Sequence, residues 1–231
     1  MAREAIVFSL GGSLIYDKKG IRIPFLKKFK SFLEAEMRGG RRFVVVTGGG
    51  AVCREYQAAL RAIHPKASKE DLDWLGIEVT RLNAELIRRM FRPLCYEKIA
   101  GDPKQQLKTS KNIIVGAGFE PGSSSDLDAV VLAGKVGAKT IVNLTNVDYV
   151  YDKDPKKYPN ARKISAISWK EFRAMVGSVW EPGKNTPFDP IASRLAEKEG
   201  VQVFIVNGNK LENLRKFFYG QKFHGTVIGV E

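Results

Sequence analysis

Short apolar runs alternate with longer amphipathic stretches along this chain. Ile6–Leu10, Phe43–Thr47, Asn112–Val115, Thr140–Leu144 and Val201–Val206 are four to six residues long and rich in Val and Ile. Runs of that length and composition, bounded by glycine or polar residues, read as strands. Between them, helical stretches are expected from Pro24 to Met37, from Gly50 to about Arg61, and over Asp126–Val136, Asp189–Glu199 and Leu211–Tyr219. Pro24 suits a first helical turn, where its missing N–H costs nothing, and Gly39-Gly40 supplies a C-terminal stop. The alternation predicts an α/β fold, with a mostly parallel central sheet and helices on both faces. Ser68-Lys69-Glu70-Asp71 and Ser168-Trp169-Lys170-Glu171 each have the form of a capping box, which opens a helix. The helix opened by Ser68 carries Leu72, Leu75, Val79, Leu82 and Leu86 at spacings of three and four. That stripe lies on one face and is expected to be buried, by default in the core and otherwise against a partner subunit.

Three of the strands run straight into glycine-rich turns. They are Gly11-Gly12-Ser13, Gly48-Gly49-Gly50, and the longer Gly116-Ala117-Gly118-Phe119-Glu120-Pro121-Gly122-Ser123-Ser124-Ser125-Asp126. Glycine lets the backbone turn sharply and bring its N–H groups up to a ligand. At strand ends that lead into helices, such groups suit phosphate. Arg54, one turn beyond the triple glycine, adds a cation. The chain has no G-x-x-x-x-G-K-[ST] loop, and no G-x-G-x-x-G fingerprint at its first strand. The residues alone therefore lead to an α/β protein that binds phosphate-bearing ligands.

Composition narrows this in a few respects. At 231 residues, 44% of them hydrophobic, the chain is large enough to bury a real core, as one domain or two small ones. No apolar run approaches the roughly 20 residues of a membrane span, and the first strand is too short for a signal peptide, so a cytoplasmic protein is expected. Cys53, Cys95, His64 and His224 lack metal-ligand or disulfide spacing. The formal charge of +13 comes from scattered lysines and arginines with no nucleic-acid motif, so small anions are the expected partners rather than specific nucleic acid.

The order of the motifs goes further. Gly11-Gly12-Ser13, Thr47-Gly48-Gly49-Gly50 with Arg54, Asp73-Trp74-Leu75-Gly76-Ile77, Thr80-Arg81-Leu82-Asn83-Ala84, Pro121 to Asp126, and Thr145-Asn146-Val147-Asp148 through Tyr151-Asp152-Lys153-Asp154-Pro155 span nearly the whole chain. Together they resemble the amino-acid kinase superfamily and, within it, the archaeal-type uridylate kinases. The resemblance implies transfer of the ATP γ-phosphate to UMP in pyrimidine nucleotide synthesis, with Mg2+ carried on the ATP. It implies one domain, with a UMP-side lobe to about residue 120, an ATP-side lobe from about 121, and a continuous sheet. ATP would be met by Gly12, Ser13, Gly50, Arg54, Thr145, Asn146, Tyr151 and Asp154. UMP would be met by Gly49, by Asp73 at the ribose, and by Phe119, Glu120, Pro121, Gly122, Ser123, Ser124 and Ser125. Asp126 and Arg54 would serve catalysis, and a homo-oligomer, a hexamer, is expected.

Two positions depart from that pattern. Many superfamily members carry a lysine two residues before the first glycine of the opening turn, where this chain has Ser9. Tyr149 replaces a customary glycine, and the proline-bearing loop Trp180–Pro190, with Lys184, is expected to wall the ATP side. A kinase for another small acceptor, such as isopentenyl phosphate, is one alternative. A non-catalytic nucleotide- or oxyanion-binding protein of the same fold is the other.

Overall fold

The computed structural model describes residues 5–102, 104–155, 157–177 and 186–230. Strand β1 (Ala5–Leu10) passes through one turn of helix, α1 (Gly12–Ile15), into a hairpin of β2 (Tyr16–Asp17) and β3 (Gly20–Ile21). Helix α2 (Ile23–Arg38), strand β4 (Arg42–Thr47) and helices α3 (Gly50–Ile63) and α4 (Lys69–Met90) follow. Next come β5 (Ile113–Gly116), α5 (Ser125–Val136), β6 (Thr140–Thr145), and the short strands β7 (Val150–Tyr151), β8 (Lys163–Ile164) and β9 (Ala166–Ile167). The chain ends with α6 (Trp169–Val176), α7 (Pro190–Lys198), β10 (Gln202–Asn207), α8 (Leu211–Phe218) and β11 (Thr226–Ile228).

A seven-stranded sheet runs in the order β5-β4-β1-β6-β10-β11-β9. Its first five strands are parallel, and β11 is antiparallel to β10. The carboxyl ends of β1, β4, β5, β6 and β10 therefore share one edge, where α/β proteins of this kind place their ligands. Because alternate strand residues point to opposite faces, the apolar runs divide cleanly. Phe8, Leu10, Phe43, Val45, Ile113, Val115, Val142 and Leu144 enter one core with residues of α2, α4 and α8. Val7, Val44, Val46, Ile114, Ile141, Val203 and Ile205 enter the other, with α5, α6 and α7. The first core is aromatic: Phe8, Phe43 and Phe218 lie with ring centres 5.5–6.2 Å apart.

The five predicted strands, the expected helices and both capping boxes are present. Ser68 Oγ accepts from the Asp71 N–H at 3.0 Å while Asp71 accepts from the Ser68 N–H at 2.8 Å, and Ser168 with Glu171 repeats the exchange. The hairpin β2–β3 and the strands β9 and β11 were not foreseen, being two or three residues long and too short to show a period. Trp180–Asn185, including Lys184, lies outside the described residues.

The leucine stripe of α4 is the main correction. Leu72 and Val79 are buried, but Leu82 is 70% exposed and Leu86 37%. The inward face instead runs through Leu72, Ile77, Thr80, Asn83, Ala84 and Ile87. The core default fails for Leu82 and Leu86, since the inward positions Thr80 and Asn83 carry polar side chains that bond backbone, and the two leucines are left on the face expected otherwise to meet a partner subunit.

In dilute protein, Ile87→Ala is expected to lower the unfolding free energy by about 2–5 kcal/mol, and Leu82→Ala to change it by no more than about 0.5 kcal/mol. Urea unfolding measures both. Equal losses at the two positions would restore the original stripe.

Candidate active site

At the shared edge the turns after β1 and β4 meet backbone to backbone. A Cβ on Gly12 would lie 2.3 Å from the Gly50 nitrogen and 2.6 Å from the Gly48 oxygen. A Cβ on Gly50 would lie 2.6 Å from the Gly12 carbonyl carbon, and Gly50 also has φ +67°. No side chain fits at either position. The sheet ladder continues into these turns, since the Gly48 N–H donates to Leu10 O at 2.9 Å and the Gly11 N–H to Leu144 O at 3.0 Å. Helices α1 and α3 start from the paired turns, and the first N–H groups of a helix have no partner within it.

Helix α4 fixes the glycine turn after β4 and the loop after β5. Asn83 Nδ2 donates to Gly48 O at 2.9 Å, and Thr47 Oγ1 donates to Thr80 O at 2.9 Å. Thr80 Oγ1 accepts from the Gly118 N–H at 3.0 Å, and Arg81 Nε donates to Gly118 O at 3.3 Å. About two turns earlier on α4, Asp73 Oδ2 accepts from the Gly122 N–H at 2.9 Å. The roles of Thr80 and Asn83 were missed in the sequence, where they entered only as parts of a motif. Their signal was two polar residues on the face of a helix that must pack inward.

An acidic group lies at the start of α5. Ser124 caps that helix, accepting from the Leu127 N–H at 3.2 Å. Asp126, in the first turn, accepts from the Ser9 hydroxyl at 2.9 Å and from the Asp189 N–H at 3.1 Å. Loss of water around it pushes its carboxyl up to about 6, the Ser9 bond opposing and the Asp189 carboxylate reinforcing the rise. Asp128 is 8% exposed, accepts from the Ser123 hydroxyl at 2.9 Å, and has a buried Oδ2 with no partner among the described residues. Burial pushes it up to about 7, with Ser123 opposing and Asp126 and Glu120 reinforcing. Asp189, the N-cap of α7, is raised by burial too. Among the described residues neither Asp126 nor Asp128 makes an ion pair.

The other predicted residues fall into two groups. Arg54 is exposed in the first turns of α3, and Cys53 beside it feels both the Arg54 and Asp73 charges. Phe119, Glu120 and Pro121 continue from β5 toward Gly122, and Ser125 lies close enough that a Cβ on Gly48 would touch its hydroxyl at 3.4 Å. Ser13, Gly49, Gly50, Asp73 and Gly122–Asp126 thus converge on the β1–β4–α5 corner. Thr145, Asn146, Tyr151 and Asp154 lie on the segment after β6. That segment is tied to the end of β10, through the Gly208 N–H to Thr145 O at 2.9 Å and Asn207 Nδ2 to Asp148 at 3.0 Å. Tyr149 bonds His224 Nδ1 at 3.0 Å, with the Lys163 ammonium over its ring, and so packs toward the segment before β11. Burial raises both thiols, Cys95 to about 11, which leaves them protonated and unreactive. Among the described residues no cluster of His, Cys, Asp and Glu has the form of a metal site, and no helix is long and apolar enough to cross a membrane.

The model of the amino acid kinase family matches residues 4–207. The chain belongs to the amino acid kinase family. Among its relatives in that family are a uridylate kinase of Hyperthermus butylicus, 32% identical over 99% of this chain and 100% of that protein, and one of Pyrococcus abyssi, 34% identical over 96% and 98%. The crystal structure of uridylate kinase from Archaeoglobus fulgidus superposes with a TM-score of 0.81 at 30% identity, covering 98% of this chain and 100% of that one. The mostly parallel sheet flanked by helices is thus the amino acid kinase fold, as expected.

The raised carboxyls carry a sign. Between about pH 4, where an unfolded Asp ionises, and about pH 7, folded Asp128 holds a proton that the unfolded chain has lost. Its contribution is full below pH 4 and falls, by about 1.4 kcal/mol for each pH unit in that window, until it levels off above pH 7. Asp128→Asn should therefore gain stability relative to the parent chain from pH 5 to pH 8. Chemical denaturation across that range measures the gap, and a gap that narrows with rising pH contradicts the assignment.

Proposed function

We propose that this protein transfers the γ-phosphate of MgATP to UMP, giving UDP and ADP. The observation that carries the reading is the corner where two side-chain-free turns, the α5 N-terminus and Asp126 come together at the carboxyl edge of the sheet. Full-length similarity to uridylate kinases of archaea supports the choice of acceptor.

Phosphoryl transfer needs two substrates held in line and negative charge offset as it shifts. The ATP phosphates lie over Gly12, Ser13 and Gly50, where N–H groups face outward, with Arg54 alongside. Thr145, Asn146, Tyr151 and Asp154 take the nucleoside end. UMP lies across Gly49 and the loop Phe119 to Ser125, its phosphate at Gly122–Ser125 and its ribose at Asp73, whose carboxylate has lone pairs beyond the one given to Gly122. Asp126 holds Ser9 and the start of α7 in one arrangement around the transferring group. Magnesium enters with ATP and supplies positive charge that the acidic corner lacks. Residues to about 120 form the UMP lobe and those from about 121 the ATP lobe, within one domain. Tyr56, Trp74, Leu82 and Leu86, exposed on α3 and α4, are the face that a second copy would cover in a homo-oligomer.

Offered UMP, CMP, isopentenyl phosphate and carbamate with MgATP, the protein should phosphorylate UMP with the highest kcat/KM. Preference for another acceptor sinks this reading, and tight binding of ATP and UMP without turnover favours a non-catalytic role. Asp126→Asn should lower kcat about 100-fold or more with little change in KM for UMP, as loss of an alignment made in the transition state requires. Asp73→Asn should do the reverse, raising KM for UMP with kcat nearly kept. Steady-state kinetics separates the two patterns.

A further inference from the structure

Asp128 is a buried acid that the proposed reaction does not use. It stands one turn into α5, and its only partner among the described residues is the Ser123 hydroxyl, 2.9 Å away. Its second oxygen is sealed from solvent and has no hydrogen-bond partner among the described residues. Ser123 sits in the loop read above as the seat of the acceptor phosphate, and the inference rests on that reading.

A serine hydroxyl has one proton to give. While Asp128 is ionised, that proton is held inward and Ser123 shows only lone pairs to a ligand. A phosphate oxygen also offers only lone pairs, so the two repel. When Asp128 carries a proton, its O–H donates to Ser123 Oγ, and the hydroxyl proton is free to turn outward to phosphate. The neutral acid also leaves Oδ2 uncharged, which lowers the cost of having no partner there. We propose that Asp128 is a positioning residue for the acceptor phosphate: it takes up a proton as the phosphate binds, and so turns Ser123 from acceptor to donor.

The surrounding charges agree with that direction. Asp126 on the same helix and Glu120 on the loop are both negative toward Asp128. Of the elements packed on α5, helix α7 brings Asp189 and Arg194, and the arginine acts on Asp189. Strands β1, β5 and β6 bring no ionisable side chain, and Arg42 at the start of β4 is bonded to Thr109 O and Lys111 O. Lys135, at the other end of α5, is held by the carbonyls of Asp102 and Gln105. An arriving phosphate adds negative charge and favours the protonated acid further.

The test compares UMP affinity, by calorimetric titration, and KM and kcat for UMP from pH 6 to pH 8. The parent chain, Asp128→Asn, Ser123→Ala and the double variant are measured side by side. The UMP phosphate titrates near pH 6 in every case, so the ratio of parent to Asp128→Asn isolates Asp128. With the acid form binding and half-protonation near pH 7, the dissociation-constant ratio should rise up to about ten-fold across the range while the kcat ratio stays level. In the Ser123→Ala background the Asp128→Asn change should have no such effect. A level affinity ratio with UMP turnover intact overturns the inference, whereas no UMP binding or turnover at any pH overturns the acceptor reading instead. Should Asp128→Asn fail to fold, carboxyl carbon-13 NMR of the parent chain decides. UMP is expected to raise the Asp128 midpoint, and a midpoint unchanged or lowered by UMP overturns the proposal.

Discussion

The phosphate edge depends on one contact: two backbones pressed together where no side chain fits. Strands β1 and β4 are neighbours and parallel, so the turns that leave them must pass through the same small space. Gly12 and Gly50 make that possible, each filling the place where the other's Cβ would stand. Two helix starts are thereby brought side by side, closer than any other residue pair would allow. The backbone carbonyl pointing away from the edge is occupied by Asn83, and the sheet-side N–H groups by strand carbonyls. Helix starts of this kind leave backbone N–H groups without partners inside the helix, and such groups suit an anion before any charged residue is considered.

The charged residues then raise a difficulty. Where many of its superfamily relatives carry a lysine, Ser9 offers Asp126 a neutral hydroxyl. A hydroxyl orients the carboxylate but does little to stabilise its charge, and burial therefore keeps its proton affinity high. Asp128 and Asp189 add to the same excess, and no cation among the described residues pairs with Asp126 or Asp128. The chain's net charge of +13 does not relieve this, since a surface charge in water is screened within about 10 Å at ordinary salt. The compensation must be local, as a magnesium ion carried on ATP in the proposed reaction would be.

Much of the fold was legible in the sequence because its strands are buried on both faces and read as unbroken Val/Ile runs, and helices α4 and α6 carry capping boxes. The glycine turns were legible for the same reason, as glycines at strand ends have few other uses. The phase of α4 was not. Hydrophobic periodicity finds a buried face only where burial means apolar packing, and α4 buries Thr80 and Asn83 to bond backbone. Asp128 was missed on similar grounds: among the acids of a first helical turn, sequence alone does not separate the one facing water from the one facing protein. Tyr149 stood out in the sequence only as a replacement of a customary glycine, and its bond to His224, in the segment before β11, is a pairing across more than 70 residues that no local pattern shows.

The first turn of α5 joins these features. Ser124 caps it, Asp126 reaches from it to β1 and to the start of α7, and Asp128 reaches back to Ser123. Asp73 on α4 holds the same loop from its other side through Gly122. The loop that would seat the acceptor phosphate is thus held by carboxylates at two adjacent residues, Gly122 and Ser123, and each of them is a group that a phosphate repels. Binding must either bring a cation, add a proton, or loosen one of those holds. Of the three, adding a proton needs no motion of the backbone, and Asp128, buried with a vacant lone pair and a titration near neutrality, is the carboxylate most ready to accept it.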